Sequence, residues 1–207
     1  GTQSAPAPQE VAQVCGDFLA SGDSRRFVGE LAFFGGSFTA VPREYMTSLL
    51  QAAQPFLGKG KIEGIRISTR PDAIDREILT LLKSYGVTAI ELGAQSMDEG
   101  VLAANFRGHT AKDVEQAAAL ITEEGFELGL QMMVGLYEDT PEACLETARK
   151  LIALAPATVR IYPTVVIRGT WLEKLYRQGK YQPMSLEEGV ALCARLLEMF
   201  TQAGIRV

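Results

Sequence analysis

A chain of 207 residues, 47% hydrophobic and 22% charged, has the make-up of a globular protein and not of a disordered, collagen-like or disulfide-stapled one. Its 25 acidic against 20 basic residues leave a formal charge of −5, so no basic excess announces nucleic acid, although a local patch works against a negative total. Three scattered cysteines, Cys15, Cys144 and Cys193, argue against a disulfide framework and for a reducing compartment. No CxxC-type pair is present, hence no recognisable cluster or zinc motif. Apolar runs stop short of the roughly 20 residues of a membrane span, and no signal peptide precedes the first helix. The cytoplasm is the expected compartment, with no membrane partner. The chain starts at Gly1, not Met, and reads as part of a longer protein.

In chain order, a Pro/Ser-rich start (Ser4 to Pro8) precedes an amphipathic helix over about Gln9–Leu19, with Val11, Val14, Cys15, Phe18 and Leu19 on one stripe. The apolar run Glu30–Phe34 halts at Gly35-Gly36 and reads as a fully buried strand. A helix follows Pro42 and stops at Gly58. Strand Gly64–Ser68 ends at Thr69-Arg70-Pro71, and Asp72 is the expected N-cap of a helix running through Ile78, Leu79 and Leu82 to Gly86. Strand Val87–Gln95 leads into a short helix with Ser96 and Glu99 as its capping box. Thr110 opens the next helix, Gly125 closes it, and strand Glu127–Val134 runs to Gly135. Thr140-Pro141-Glu142 opens a helix that ends near Pro156. Strand Thr158–Ile167, a last helix capped by Ser185 and Glu188, and the beginning of a sixth strand at Ile205-Arg206-Val207 complete the chain. Gly86, Gly125 and Gly204 each supply a left-handed helix exit just before a strand.

This β/α alternation predicts an α/β fold, a parallel sheet covered by helices, in one domain over 1–207. A helix with no strand before it and three residues of a sixth strand make both ends read as cut. Ligands in such folds gather at the carboxyl ends of the strands. Here those ends carry Gly35-Gly36-Ser37-Phe38-Thr39, Ser68-Thr69-Arg70, then Glu91, Gly93, Gln95 and Ser96, then Gln131, Gly135 and Glu138, and last Tyr162, Thr164 and Arg168. Polar groups at the end of every strand predict a pocket. Taken singly they have plainer readings: Gly35-Gly36 as a tight turn, Gln95 and Gln131 as amides inside a barrel, His109 as an exposed residue ahead of a helix. Met132-Met133 reads as core filler, and Cys144 and Cys193 as inert thiols on apolar helix faces. No P-loop, GxGxxG or Ser/His/Asp arrangement supports phosphate cradling or triad hydrolysis.

The blocks Phe34–Thr39, Ile67–Asp72, Glu91–Ser96, Asn105–Thr110, Gln131–Leu136, Arg160–Thr164 and Ile167–Thr170 together resemble the radical S-adenosylmethionine (radical SAM) enzymes. The likeness is to the radical SAM domain of the Elongator catalytic subunit and its bacterial relatives without an acetyltransferase domain. It covers about Leu31 to Val207 and implies a partial (β/α)6 barrel, here missing its first strand and cut in its last. It implies that Gly35, Gly36 and Ser37, with Thr39 in the same block, hold the methionyl amine of S-adenosylmethionine, glycines allowing close approach of the backbone. Ser68 and Arg70 would lie near its ribose or carboxylate, Gln95 near the ribose hydroxyls, and Arg107, twelve residues after Gln95, would fork onto the carboxylate. Gln131 falls where related coproporphyrinogen oxidases have an Asp, and Gly135 with Glu138 resembles an adenine-side motif.

The resemblance also implies a 4Fe-4S cluster held by three cysteines of a CxxxCxxC loop. No such triad occurs in this chain; the economical reading places the loop before Gly1, and the chain as given is expected to generate no radical. The implied activity of the full-length protein is reductive cleavage of S-adenosylmethionine to a 5′-deoxyadenosyl radical, with an electron donor such as flavodoxin or ferredoxin. By analogy alone the substrate is tRNA. Arg160 stands where the Elongator subunit has Lys, so that subunit's substrate contacts do not carry over, and no catalytic residue is assigned. The alternatives are a coproporphyrinogen-oxidase-like enzyme acting on a small molecule, and a degenerate barrel that binds S-adenosylmethionine or a partner without radical chemistry.

Overall fold

Strand side chains alternate between an apolar row and a polar one, and that alternation sets the architecture. The computed structural model describes residues 5–21, 29–58 and 62–207. Strands β1 (Gly29–Phe33), β2 (Ile62–Thr69), β3 (Val87–Gln95), β4 (Glu127–Val134) and β5 (Thr158–Pro163) form one sheet in the order β1-β2-β3-β4-β5, every pair parallel. The sheet curls into a half-barrel. Parallel neighbours need a crossover, and these are supplied by α2 (Arg43–Ala53), α3 (Arg76–Ser84), the pair α4 (Glu99–Ala104) and α5 (Ala111–Glu123), and α6 (Pro141–Ala153). Helix α1 (Pro8–Ala20) precedes the sheet, and α7 (Trp171–Arg177) and α8 (Leu186–Gln202) follow it.

One strand row, including Ile65, Ile67, Ile90, Leu92, Leu130, Met132 and Val159, is buried beneath the helices. Helix α2 meets it with Met46, Leu49, Leu50 and Ala53, and α8 brings Leu192, Leu196 and Phe200, both at helical spacing. The other row, with Arg66, Ser68, Glu91, Gln131 and Arg160, is polar. Gly86, Gly125 and Gly204 take φ of +77°, +80° and +75°, as their exits into strands require. Among the described residues no helix is long and apolar enough to cross a membrane.

Several expectations need correction. β1 is not fully buried: it lies at the sheet edge, and its residues are half-buried or exposed in turn. Asp75, not Asp72, caps α3, its Oδ1 accepting from the Ile78 amide at 2.7 Å, because residues Pro71–Ala73 first form a 3-10 turn. Asp98, not Ser96, caps α4; the Glu99 carboxylate accepts from the Ala111 amide instead, and Ser96 is buried against Thr147. β5 ends at Pro163 and not at Ile167, and residues 164–170 lead into α7, which the apolar pattern of Val165 and Ile167 concealed; both are exposed. Val14 also faces away from the core. The sixth strand amounts to a single parallel bridge between Arg206 and Thr158.

Candidate functional site

The carboxyl ends of the strands surround an open cavity of about 650 Å³, within the range of small-molecule sites. Eight of the ten residues expected there line it: Gly35, Gly36, Ser37, Ser68, Arg70, Gln95, Arg107 and Gln131. Thr39 and Gly135 do not. Thr39 Oγ1 donates to the Ala73 carbonyl at 2.7 Å, so the 2.6 Å contact with Thr69 Oγ1 is donated by Thr69, a tie between loops. Gly135 donates to Asp139 Oδ2, accepts from the Tyr181 hydroxyl at 2.6 Å and has φ +74°; a Cβ there would come within 2.9 Å of Met184.

Beneath the cavity, Glu91 on β3 is 2% exposed and is bound from three sides. Arg160 grips it with Nε on Oε2 at 2.8 Å and Nη2 on Oε1 at 3.1 Å. Gln131 Nε2 donates to Oε2 at 2.8 Å, and Arg66 Nη1 stands 3.7 Å from Oε1. Arg66 in turn bonds Glu30 at 2.7 Å and Glu127 at 2.8 Å, and Arg206 reaches Glu127 as well. Burial opposes the Arg66 charge, and the Glu127 and Glu30 hydrogen bonds more than offset it, leaving its pKa above the ordinary value. Parallel register places Gly129 beside Glu91, and the missing Cβ is what makes room: one built there would lie 2.6 Å from Glu91 Cγ.

Of the three arginines that line the cavity, Arg70, Arg107 and Arg160, Arg107 is the one with no carboxylate partner among the described residues. Burial pulls its pKa below the usual value, its Nη2 contacts only Met133 Sδ at 3.4 Å, and its buried Nε has no partner. Arg70 instead chelates Asp72, with Nη2 on Oδ2 at 2.6 Å. Gly108 lies beside it: a Cβ there would stand 2.5 Å from Arg70 Nη2, so the guanidinium would have to shift. Gln95 and Phe106 adopt φ of +65° and +54°, left-handed conformations that cost non-glycine residues about 1–3 kcal/mol each and cluster at functional sites.

The pocket also takes in residues that the sequence reading did not assign to the cofactor. His109 is buried, not exposed: its Nε2 lies 3.0 Å from the Ala94 carbonyl, which fixes the Nε2–H tautomer. Phe34, Phe106, Arg160 and Tyr162 complete the rim. Arg160 lies over the Phe34 ring with Cζ 4.9 Å from its centroid. Phe106 meets Trp171 of α7 edge-on at 4.9 Å, and Trp171 meets Tyr137 at 5.4 Å. Asn105 sits between Phe106 and α4 and bonds both the carbonyl and the amide of Tyr137. The signal for this cluster was the exposed aromatic in the Asn105–Thr110 block; Trp171 gave none, because α7 was not foreseen.

A curled parallel sheet with a polar cavity at the strand ends defines an α/β partial-barrel protein. The chain belongs to the radical SAM superfamily: the model of that superfamily matches residues 12–151, and that of the Radical_SAM C-terminal domain matches residues 156–207. It is 32% identical over 190 residues to Elongator complex protein 3 of Homo sapiens, covering 82% of this chain and 35% of that protein. It is 29% identical over 174 residues to the tRNA uridine(34) acetyltransferase of Dehalococcoides mccartyi, covering 74% of this chain and 38% of that one. The chain thus spans about a third of the length of these relatives. Among solved structures it superposes on the archaeal Methanocaldococcus infernus Elp3 with a TM-score of 0.72 and 26% identity, covering 81% of this chain and 44% of the other. Coproporphyrinogen III oxidase of Escherichia coli shares the fold at a TM-score of 0.67 and 18% identity, over 95% of this chain and 47% of the other.

The family implies S-adenosylmethionine and a 4Fe-4S cluster. The first fits what the cavity offers: a half-buried guanidinium whose buried Nε has no partner, for a carboxylate, and two glycines, Gly35 and Gly36, at which a Cβ would meet nothing within 4 Å. The second does not fit this chain. Cys15, Cys144 and Cys193 sit on α1, α6 and α8, and among the described residues no group of three metal-ligating side chains exists. Cys144 is further bound to Asp139 Oδ2 at 3.0 Å, and burial, then Asp139, push its thiol pKa up.

Proposed function

We propose that this chain is the S-adenosylmethionine-binding and substrate-positioning part of a radical SAM enzyme that acts on a nucleotide of tRNA. Arg107 carries the reading: a desolvated guanidinium whose Nε has no partner, in a cavity lined by seven other residues expected at a cofactor site. Arg107 would take the carboxylate. The backbone at Gly35 and Gly36, with Ser37, would hold the amine, and Ser68, Arg70 and Gln95 the ribose side. The family's chemistry, reductive cleavage of S-adenosylmethionine, draws on a cluster for which this chain presents no ligands among its described residues, so the chain's own part is binding and orientation. The printed name of one relative, tRNA uridine(34) acetyltransferase, supports tRNA as the substrate. The chain acts as a single unit in this reading, with α8 packed on α6 and β5.

Saturation-transfer NMR with S-adenosylmethionine tests it. The wild-type chain is expected to give signal at the methionyl and adenine protons, and Arg107→Ala to weaken binding about tenfold, the value of a charge-assisted hydrogen bond in a partly buried site. Binding unchanged in Arg107→Ala, or absent from the wild type, refutes the assignment.

A further inference from the structure

The strand end that carries Gln95 is shaped around one carbonyl. Gly93 pairs with Gln131 and Gln95 with Met132, so the register of β3 on β4 steps over Ala94, a bulge of the kind that re-aims a side chain beside a site. The Ser96 amide donates back to the Ala94 carbonyl at 2.8 Å and closes a three-residue turn around Gln95, whose φ is +65°. That is the left-handed γ-turn, the rare and strained form, and a non-glycine residue stays in it only where the surroundings over-determine it. The Gln95 amide lies over Gly93, where a Cβ would come within 2.6 Å of Gln95 Nε2. The second lone pair of the Ala94 carbonyl is taken by the chain's only histidine, His109, whose buried Nε2 donates at 3.0 Å. This bond joins β3 to the loop between α4 and α5, and the loop has other ties. Asn105 binds both backbone groups of Tyr137, the Arg107 amide donates to the Leu102 carbonyl at 3.0 Å, and Thr110 caps α5. Beyond the turn, Thr147 Oγ1 accepts from the Met97 amide at 3.0 Å. At the Ala94 carbonyl itself, the imidazole is the one side chain bonded among the described residues.

We propose that His109 is a positioning residue: its Nε2–H pins the Ala94 carbonyl, the pinned carbonyl holds the left-handed turn, and the turn sets Gln95 on the cavity wall. His109 acts on the site through Gln95. An imidazole suits the place because its neutral Nε2–H form and its cation both donate from Nε2, so the pin survives protonation. The inference rests on the cofactor reading above in its binding arm alone, and it adds a residue to which that reading gives no role.

Nitrogen-15 NMR of the wild-type chain reads the tautomer without any variant, since one histidine gives one set of ring signals. The Nε2–H form is expected at neutral pH, and the Nδ1–H form overturns the proposal. Hydrogen exchange comes next. His109→Leu is expected to lower the protection of the Ser96 amide about tenfold while Ile90 and Leu92 of β3 keep theirs, and His109→Gln, whose amide nitrogen reaches the place of Nε2, to restore it. Unchanged Ser96 protection in His109→Leu, or a loss spread evenly over β3, overturns the proposal. Titration with S-adenosylmethionine by saturation-transfer NMR then separates action through Gln95 from a merely structural role. His109→Leu and Gln95→Ala are each expected to weaken binding about fivefold, and the double variant no more than either, against about 25-fold for independent residues. Additive losses overturn the path through Gln95. A wild-type chain that binds no S-adenosylmethionine sinks the cofactor assignment alone, and the tautomer and the Ser96 amide still decide whether His109 holds the turn.

Discussion

Glu91→Ala should be among the costliest polar substitutions in the chain, and its size follows from the bonds lost. Glu91 accepts two hydrogen bonds from Arg160, one from Gln131 and an ion pair from Arg66. Removing one partner of a fully buried pair costs about 3–5 kcal/mol. Two features lower that figure. The Arg160 side chain is 47% exposed and can rehydrate, and Arg66 keeps Glu30 and Glu127. One raises it: the Glu91 methylenes fill the space that Gly129 leaves open, worth about 0.8 kcal/mol each. The balance is about 3 kcal/mol, or a fall of about 1 M in the urea midpoint for a slope of about 2–3 kcal/mol/M. Glu127→Ala is the control. Its side chain is 36% exposed and it also serves two arginines, so its loss should cost less than about 1 kcal/mol. In a double-mutant cycle with Arg160→Ala, Glu91→Ala should show a coupling of about 1 kcal/mol or more. Equal effects of Glu91→Ala and Glu127→Ala on the urea midpoint, or additivity with Arg160→Ala, would refute the argument that Glu91 is the centre of the network.

Gly129→Ala, whose new Cβ would stand 2.6 Å from Glu91 Cγ and 2.9 Å from Thr158 Oγ1, should lower stability by about 1–3 kcal/mol in the same unfolding assay. Asp113, Glu173 and Glu188 have pKa values held below the usual carboxylate range, by hydrogen bonds from Thr110, from the Gly169 amide and Arg177, and from Ser185 respectively. Because the folded values are depressed, the stability they confer is complete above the unfolded pKa of about 4 and is lost as pH falls through the folded ones. Amide protection factors, which correct for the slower intrinsic exchange in acid, should then fall first at the N-termini of α5, α7 and α8 as pH is lowered from 5 to about 3; uniform protection along these helices would contradict it. Burial raises the thiol pKa of Cys15, Cys144 and Cys193 alike, so a disulfide reagent at pH 8 should label the folded chain slowly and the urea-unfolded chain at once. Fast labelling of Cys144 in the folded protein would show that its contact with Asp139 is broken in solution.

Much of this architecture was legible because it rests on local chemistry. Gly86, Gly125 and Gly204 mark helix exits through a backbone conformation that other residues resist, and Thr110, Thr140 and Ser185 accept from amides three residues on. The errors came where tertiary context outweighed local pattern. Asp72 had the right chemistry for a cap but was taken by Arg70, and Glu99 reached across to Ala111. Helix α7 buries only Leu175, too few apolar positions to show a period. Eight expected site residues lie along one cavity because strand ends in a parallel sheet converge whatever their separation in the chain. His109 was read as exposed and Phe34 was given no role, since each is placed by a partner remote in sequence, the Ala94 carbonyl and Arg160. The grip on Glu91 joins residues 66, 91, 131 and 160, which no reading of neighbours along the chain could assemble.

The row of charges also bears on how the strands find their alignment. Glu30, Arg66, Glu91, Glu127 and Arg160 come one from each strand, in order across the sheet. Sliding any strand by a single residue would exchange its two faces. Arg66 or Glu91 would then be pressed among Leu79, Leu82 and Ile121 on the helix side, while Ile65 or Ile90 faced the cavity. An unpaired charge so placed costs several kcal/mol, a penalty that apolar side chains of similar shape could not impose. The ion pairs make misaligned pairings of the five strands unstable, so the floor of the cavity and the register of the sheet stand or fall together.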